Sequence, residues 1–223
     1  MTDQPDTNDW PQVAPAEFWE QRYSDSGQIW SGKVNASMAS VAEGLTPGRA
    51  LDLGCGEGGD VIWLASRGWQ ATGLDIAPSA IRRGQQAAKD AGLEGARFEV
   101  ADLSGGGADD EWDLVTASFF HSPVSLERTE ILRQAAQRVA PGGHLLITSH
   151  AAAPPWADEH AKHHHHFLTA DEEVQELDLP ADEWETELAE VRTREAIGPD
   201  GSQATLDDVV VLLKRRAGTD SSI

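Results

Sequence analysis

The sequence has one cysteine, Cys55, in 223 residues, with one tyrosine and two methionines. A lone cysteine excludes an intramolecular disulfide and a thiolate zinc site, and it fits a reducing compartment. Positive charge is also scarce. There are 17 Lys+Arg against 38 Asp+Glu, a formal net charge of −21. A domain that grips nucleic-acid phosphates needs a basic face, so no nucleic-acid partner is expected. A basic membrane-surface helix is disfavoured for the same reason. Long apolar runs are missing: the longest, Val209 to Leu213, is far below the roughly 20 residues that span a bilayer. The opening Met-Thr-Asp-Gln-Pro-Asp has no charged-then-apolar signal pattern. The expectation is a cytoplasmic protein without membrane contact, present as a monomer or homodimer.

What is present is ordinary globular material, with 39% hydrophobic and 25% charged residues. A chain of this size buries roughly 70% of its unfolded surface, so a core needs no covalent staples. Residues 1–15 carry three prolines and three aspartates and read as a disordered acidic arm. Residues 16–216 read as one domain, and residues 217–223 as a disordered tail. Phe18, Trp19, Arg22 and Tyr23 predict a helix ending near Ser26-Gly27, and a second short helix is expected over Asn35 to Glu43.

A regular alternation follows. Strands are expected at Ala50–Leu53, Gln70–Leu74, Arg97–Val100, Trp112–Ala117 and His144–Thr148. Helices are expected at Asp60–Arg67, Pro78–Ala91 and Leu126–Val139, with a turn at Pro141-Gly142-Gly143 before the fifth strand. This is the pattern of a doubly wound α/β fold with a mostly parallel sheet. The end of the chain differs. Thr169 and Glu172 form a capping-box pattern for a helix to Leu177. Trp184–Thr193 and Thr205–Lys214 flank Gly198-Pro199-Asp200-Gly201 and predict a closing antiparallel hairpin.

The central motif is Leu51-Asp52-Leu53-Gly54-Cys55-Gly56-Glu57-Gly58. Its glycines let the chain leave a strand sharply and let backbone approach a ligand, at the start of a helix with free N–H groups. Gly54, Gly56 and Gly59 also satisfy the dinucleotide spacing, so the loop alone leaves a nucleotide-dependent oxidoreductase open. Asp75 lies 21 residues after Gly54, at the end of the second strand, where a carboxylate can accept from two ribose hydroxyls. Asp102 closes the third strand. Ligands bind at that edge of an open parallel sheet.

With these residues the sequence resembles the class I S-adenosylmethionine-dependent methyltransferases over about residues 48–150. The resemblance is carried by the glycine motif, by Gly73-Leu74-Asp75-Ile76-Ala77-Pro78-Ser79-Ala80, by Val100-Ala101-Asp102-Leu103 and by Val139-Ala140-Pro141-Gly142-Gly143. It implies a seven-stranded Rossmann-like sheet whose last strand is antiparallel, with S-adenosylmethionine as co-substrate. It further implies that Gly54, Cys55 and Gly56 hold the methionine part, Asp75 and Ile76 the ribose, and Ala101, Asp102 and Leu103 the adenine. Asp52 orders the loop or reaches the amino group through water, and Ser118, which follows the fourth strand, is counted with the co-substrate-binding residues. Within the family the chain is similar to the tellurite-resistance and thiopurine methyltransferase-like group, through Phe18-Trp19-Glu20-Gln21-Arg22-Tyr23, Trp30 and Glu183-Trp184. That similarity implies residues 16–47 fold over the co-substrate, with Trp30 against its methionine end and Lys33 against its carboxylate. Arg192-Thr193-Arg194-Glu195 stand where tellurite-type members carry a His-Arg pair, so that group's catalytic assignment and substrate do not carry over.

Methyl transfer needs alignment and water exclusion, and a base only if the nucleophile arrives protonated. His121 and His150, after the fourth and fifth strands, are candidates for base or clamp, and Phe119 and Phe120 for an apolar wall. No residue is assigned as catalytic. The run His160 to His166 has metal-ligand spacing in part, but an exposed loop is the preferred reading and no metal is expected. The expected partner is a small-molecule methyl acceptor. A protein that binds S-adenosylmethionine without chemistry is the alternative.

Overall fold

The computed structural model describes residues 13–105, 110–157, 167–198 and 201–218. Most of the acidic arm, the histidine run and the centre of the Gly198–Gly201 turn lie outside the described residues.

Seven strands form one sheet in the order β3-β2-β1-β4-β5-β7-β6. They are β1 (Arg49–Leu53), β2 (Gln70–Asp75), β3 (Ala96–Val100), β4 (Trp112–Ser118), β5 (Val139–His150), β6 (Trp184–Ile197) and β7 (Gln203–Arg215). β1 to β5 are parallel, β7 runs antiparallel to β5, and β6 runs antiparallel to β7. The helices are α1 (Pro15–Ser24), α2 (Ala36–Ala42), α3 (Gly59–Ser66), α4 (Pro78–Asp90), α5 (Arg128–Gln137) and α6 (Ala170–Leu177).

Alternation along each strand sends side chains to two cores. Leu51, Leu53, Leu145, Ile147, Val209, Val211 and Leu213 meet α5 and α6 on one face. Ala50, Ala71, Leu114, Leu146, Val210 and Leu212 meet α2, α3 and α4 on the other. Val209 to Leu213 are apolar without interruption because both faces of β7 are covered there. This is the doubly wound fold the sequence predicts, with the expected antiparallel hairpin at its end.

Local chemistry sets the element ends. Asn35 caps α2 by accepting from the N–H groups of Ser37 and Met38, and Thr169 and Glu172 form the full capping box of α6. The structure corrects several boundaries. Val139 was expected to end a helix, but it opens β5 opposite Trp112, because α5 stops at the Arg138 cap. Pro141-Gly142-Gly143 is not a turn ahead of the strand; it is a bulge within β5, between the Val139 and His144 pairings. Gly143 fits there only without a side chain, since a Cβ would meet the Asp113 carbonyl at 2.9 Å. Leu103–Gly105 forms a 3-10 turn. The closing hairpin extends past Thr193 to Ile197, because cross-strand pairing continues to Gln203.

Among the described residues, no helix is long and apolar enough to cross a membrane.

Candidate active site

The C-terminal ends of β1 and β2 meet at the Gly54–Gly58 loop, and Phe120, just after β4, lies against it. Gly54, Gly56 and Gly58 have φ of +63°, +52° and +84°, a left-handed course that glycine adopts without a Cβ penalty. The loop is pinned from below: the Cys55 N–H donates to the Leu74 carbonyl at 3.0 Å. Gly73 on β2 leaves space for the Cys55 side chain, since a Cβ there would lie 2.7 Å from its Sγ. Burial pushes the Cys55 thiol well up, followed by the carboxylates of Asp52 and Asp75, so it stays protonated.

Asp75 is buried at the end of β2. Its Oδ2 accepts from the Gly56 N–H and its Oδ1 from the Ala77 N–H, each at 2.9 Å. One carboxylate therefore fixes the glycine loop and the entry to α4 together. Asp52 is buried too and accepts the Thr116 hydroxyl at 2.7 Å. Asp60, in the first turn of α3, accepts the Asn35 N–H at 2.7 Å. Burial raises all three carboxyls above the ordinary range; at Asp52, repulsion from Asp60 and Asp75 adds to it. Among the described residues, none of the three forms an ion pair.

Asp102 is exposed and its carboxylate accepts both the hydroxyl and the N–H of Ser104, which hold it below its usual range. The Ala101 N–H donates to the Asp75 carbonyl at 2.9 Å, tying the third strand end to the second. Leu103 and Ala101 pack against the core, and Ile76 is half-buried between Asp75 and Ala77. Ser118, at the end of β4, has a buried hydroxyl beside the Asp60 carboxylate, which it helps to keep charged.

The segment before α2 lies over the loop. The Trp30 indole N–H donates to the Tyr23 hydroxyl at 2.9 Å, and both would meet a Cβ on Gly56. Trp30 is 50% exposed. The Lys33 side chain is exposed, and its carbonyl instead packs on Gly59, 2.6 Å from where a Cβ would stand. Phe120 lies against Gly54, and Phe119 turns the other way to stack on His150 with centroids 4.2 Å apart. His121 is half-buried in the same loop.

Several residues of this region carry no motif. Glu57 accepts the N–H groups of Ile29 and Trp30 and pairs with Arg83 at 2.8 Å. Asp208 on β7 is fully buried and bonded to Arg194 and Ser37. Asp208 had one legible signal: a charge abutting the apolar run Val209 to Leu213. Arg83 had none.

A doubly wound sheet ending in an antiparallel hairpin, with a glycine loop and acidic strand ends at its C-terminal edge, defines the class I methyltransferase architecture. Comparison with known proteins agrees. Residues 50–143 match a family model described as a methyltransferase domain. The chain is 37% identical over 123 residues to a 2-heptyl-1-hydroxyquinolin-4(1H)-one methyltransferase of Mycobacteroides abscessus, covering 53% of this chain and 54% of that protein. It is 31% identical over 156 residues to a ribosomal RNA small subunit methyltransferase C of Alcanivorax borkumensis, covering 65% of this chain and 47% of that one. The chain thus spans about half the length of these curated relatives. Among solved structures, it superposes on a protein from work on conversion of a disulfide bond into a thioacetal group in echinomycin biosynthesis, at TM-score 0.70 and 22% identity, covering 92% and 93% of the two chains. TehB from Haemophilus influenzae follows the same fold, at TM-score 0.64 and 17% identity, covering 88% of this chain and 66% of that one. Residues 50–143 thus resemble a methyltransferase domain, set in the fold that these solved structures share.

Proposed function

We propose that the protein transfers a methyl group from S-adenosylmethionine to a small-molecule acceptor in the cytoplasm. The observation that carries this reading is the crowd of three buried carboxylates, Asp52, Asp60 and Asp75, with no cation paired to them among the described residues. Such a group calls for a cationic ligand. A sulfonium with an ammonium beside it meets that need, whereas the pyrophosphate of a dinucleotide would be repelled. The buried carboxylates, not the loop spacing, therefore argue against an NAD-dependent oxidoreductase.

In this reading Gly54, Cys55 and Gly56 present backbone to the methionine part, with Asp52 beneath them. Asp75 and Ile76 take the ribose: each Asp75 oxygen has a second lone pair left for a hydroxyl. Ala101, Asp102 and Leu103 flank the adenine, and Ser118 offers its hydroxyl from the end of β4. Trp30 shields the sulfonium end, where an aromatic face favours a cation. Lys33 is placed to reach a carboxylate only by swinging in from solvent. S-adenosylmethionine supplies an activated methyl whose leaving group is a neutral thioether. The chain's own contribution is alignment and exclusion of water.

A small acceptor is favoured over RNA by the formal charge of −21, which opposes a polyanion. The hydroxyquinolone acceptor named for the Mycobacteroides relative supports it. Calorimetry with S-adenosylhomocysteine and with NAD tests the co-substrate. Micromolar binding of the first and none of the second is expected, with binding lost in Asp75→Ala. Preference for NAD would sink the reading. Turnover with 2-heptyl-1-hydroxyquinolin-4(1H)-one, against none with a ribosomal RNA fragment, separates the two acceptor classes and distinguishes an enzyme from a non-catalytic binder.

A further inference from the structure

The C-terminal end of β5 and the facing stretch of β7 hold a polar cluster outside the residues assigned to the co-substrate. His150 and Asp208 stand directly opposite each other in the antiparallel register, so their side chains share a face. Asp208 is fully buried. Its Oδ2 accepts the Ser37 hydroxyl at 2.8 Å and the Arg194 Nε–H at 2.6 Å. Its Oδ1 faces His150 Nδ1 at 3.7 Å, and neither atom has a hydrogen-bond partner among the described residues. That separation is longer than a made hydrogen bond, as is common for catalytic pairs before substrate arrives. Burial pushes the Asp208 carboxyl up, but contacts with His150, Arg194 and Ser37 outweigh it and keep the group ionised.

His150 is held on its flat side as well. Its ring stacks on Phe119 at 4.2 Å, and the Arg194 guanidinium lies 5.3 Å from the centre of the same Phe119 ring. Phe119 has φ of +51°, an uncommon and costly conformation for a bulky residue. The Phe119 N–H bond to the Thr148 carbonyl at 2.7 Å fixes it there. The next residue, Phe120, lies on Gly54. The adjacent residues Phe119 and Phe120 thus link the cluster to the glycine loop, and the His150 side chain stays 27% exposed.

Building on the methyl-transfer reading, we propose that His150 is the catalytic base that deprotonates the acceptor, that Asp208 is its positioning residue, and that the acceptor is a protic oxygen nucleophile of the N–OH or phenolic class. The Asp208 carboxylate favours a proton on Nδ1, which leaves the Nε2 lone pair as the accepting site. Arg194 offsets the buried charge of Asp208, so the carboxylate orients the ring without needing a proton of its own. The acceptor O–H gives its proton to Nε2. The freed oxygen pair forms the O–CH3 bond as the C–S bond breaks, and that bond's electrons stay on sulfur as S-adenosylhomocysteine. The proton leaves His150 for water. A pre-ionised acceptor would need no such pair.

The test uses the full chain with 2-heptyl-1-hydroxyquinolin-4(1H)-one as acceptor. His150→Ala should lower kcat by about 10²- to 10⁴-fold with less than about threefold change in S-adenosylhomocysteine affinity, and imidazole in the buffer should restore part of the rate. The charged group facing the ring is Asp208 on β7, which Arg194 on β6 and Ser37 of α2 hold from its other oxygen. Asp208→Asn should therefore displace the acidic limb of the kcat–pH profile, which a limb due to substrate ionisation would not do. If Asp208→Asn does not fold, side-chain 15N NMR of the wild-type protein decides: His150 must be the Nδ1–H tautomer. An Nε2–H tautomer, or an unchanged kcat in His150→Ala, overturns the assignment. Absence of turnover despite tight S-adenosylhomocysteine binding overturns the acceptor class and the base with it. Failure to bind S-adenosylhomocysteine instead overturns the underlying methyl-transfer reading.

Discussion

At the scale of single residues, the site is held under electrostatic tension. Asp52, Asp60 and Asp75 keep protons above the ordinary carboxylate range because burial disfavours their charge. Between the unfolded and the raised folded values, the folded state binds more protons than the unfolded one. Stability therefore falls as pH rises through that window, and the penalty is complete above it. Asp52→Asn keeps an oxygen to accept from Thr116 and removes one of these charges. It should raise Tm at pH 8 by about 2–4 °C, on the order of 1 kcal/mol, and leave it unchanged near pH 4; a pH series of thermal melts reads this directly. The same charges favour a cationic ligand. Affinity for S-adenosylmethionine should fall on the order of tenfold from pH 8 to pH 5, and more steeply than for neutral-thioether S-adenosylhomocysteine. Parallel calorimetric titrations give the comparison, and equal slopes would remove the electrostatic argument.

At the scale of elements, the N-terminal segment is latched by the core. Arg83 on α4 donates to the carbonyls of Tyr23, Ser26 and Gly27, each at 2.6 Å, and to Glu57 at 2.8 Å. Glu20 on α1 accepts both the N–H and the hydroxyl of Ser79 at the start of α4. The Trp19 indole donates to Ser122 at 3.2 Å, joining α1 to the loop after β4. Bonds to charged groups of this kind are worth about 1.5–3 kcal/mol each when removed. Arg83→Met should speed amide exchange at Ile29 and Trp30 at least about tenfold and weaken S-adenosylhomocysteine binding. Exchange measured by NMR or mass spectrometry would show it, and unchanged protection would mean Glu57 alone holds the segment. Gly56→Ala acts on the same contact from below. Its φ of +52° and the Tyr23 hydroxyl at 2.9 Å from the added Cβ force either the loop or the segment to move. Co-substrate binding should be lost while the far-UV circular dichroism stays native.

At the scale of the whole molecule, self-repulsion is the dominant non-specific force. A formal charge of −21 opposes compaction, and salt screens charges beyond about 10 Å at 0.1 M. Tm should rise as sodium chloride increases from 0.05 to about 0.5 M, in contrast to a fold held by surface ion pairs; a falling Tm would show that pairs such as Arg82–Glu20 matter more. The exposed edge strand β6 carries Glu185, Glu187, Glu190 and Arg192, which discourage pairing with another sheet edge.

Much of this molecule is written in its sequence. The alternation of strands and helices, the Gly54–Gly58 loop and the acidic ends of β2 and β3 are local signals, because periodicity, chain breaking and capping act within a few residues. They determined the doubly wound sheet, its antiparallel closure and the resemblance to methyltransferases. The boundaries that moved, at Val139 and at Pro141-Gly142-Gly143, were set by pairing with β4, a partner more than twenty residues away. Only the tertiary structure brought Asp52, Asp60 and Asp75 into mutual repulsion, or Arg83 under the carbonyls of Tyr23 and Gly27. Only it set Asp208 beside His150. Electrostatic and hydrogen-bond energies depend on distance and burial, and a chain acquires both only when its remote segments pack together.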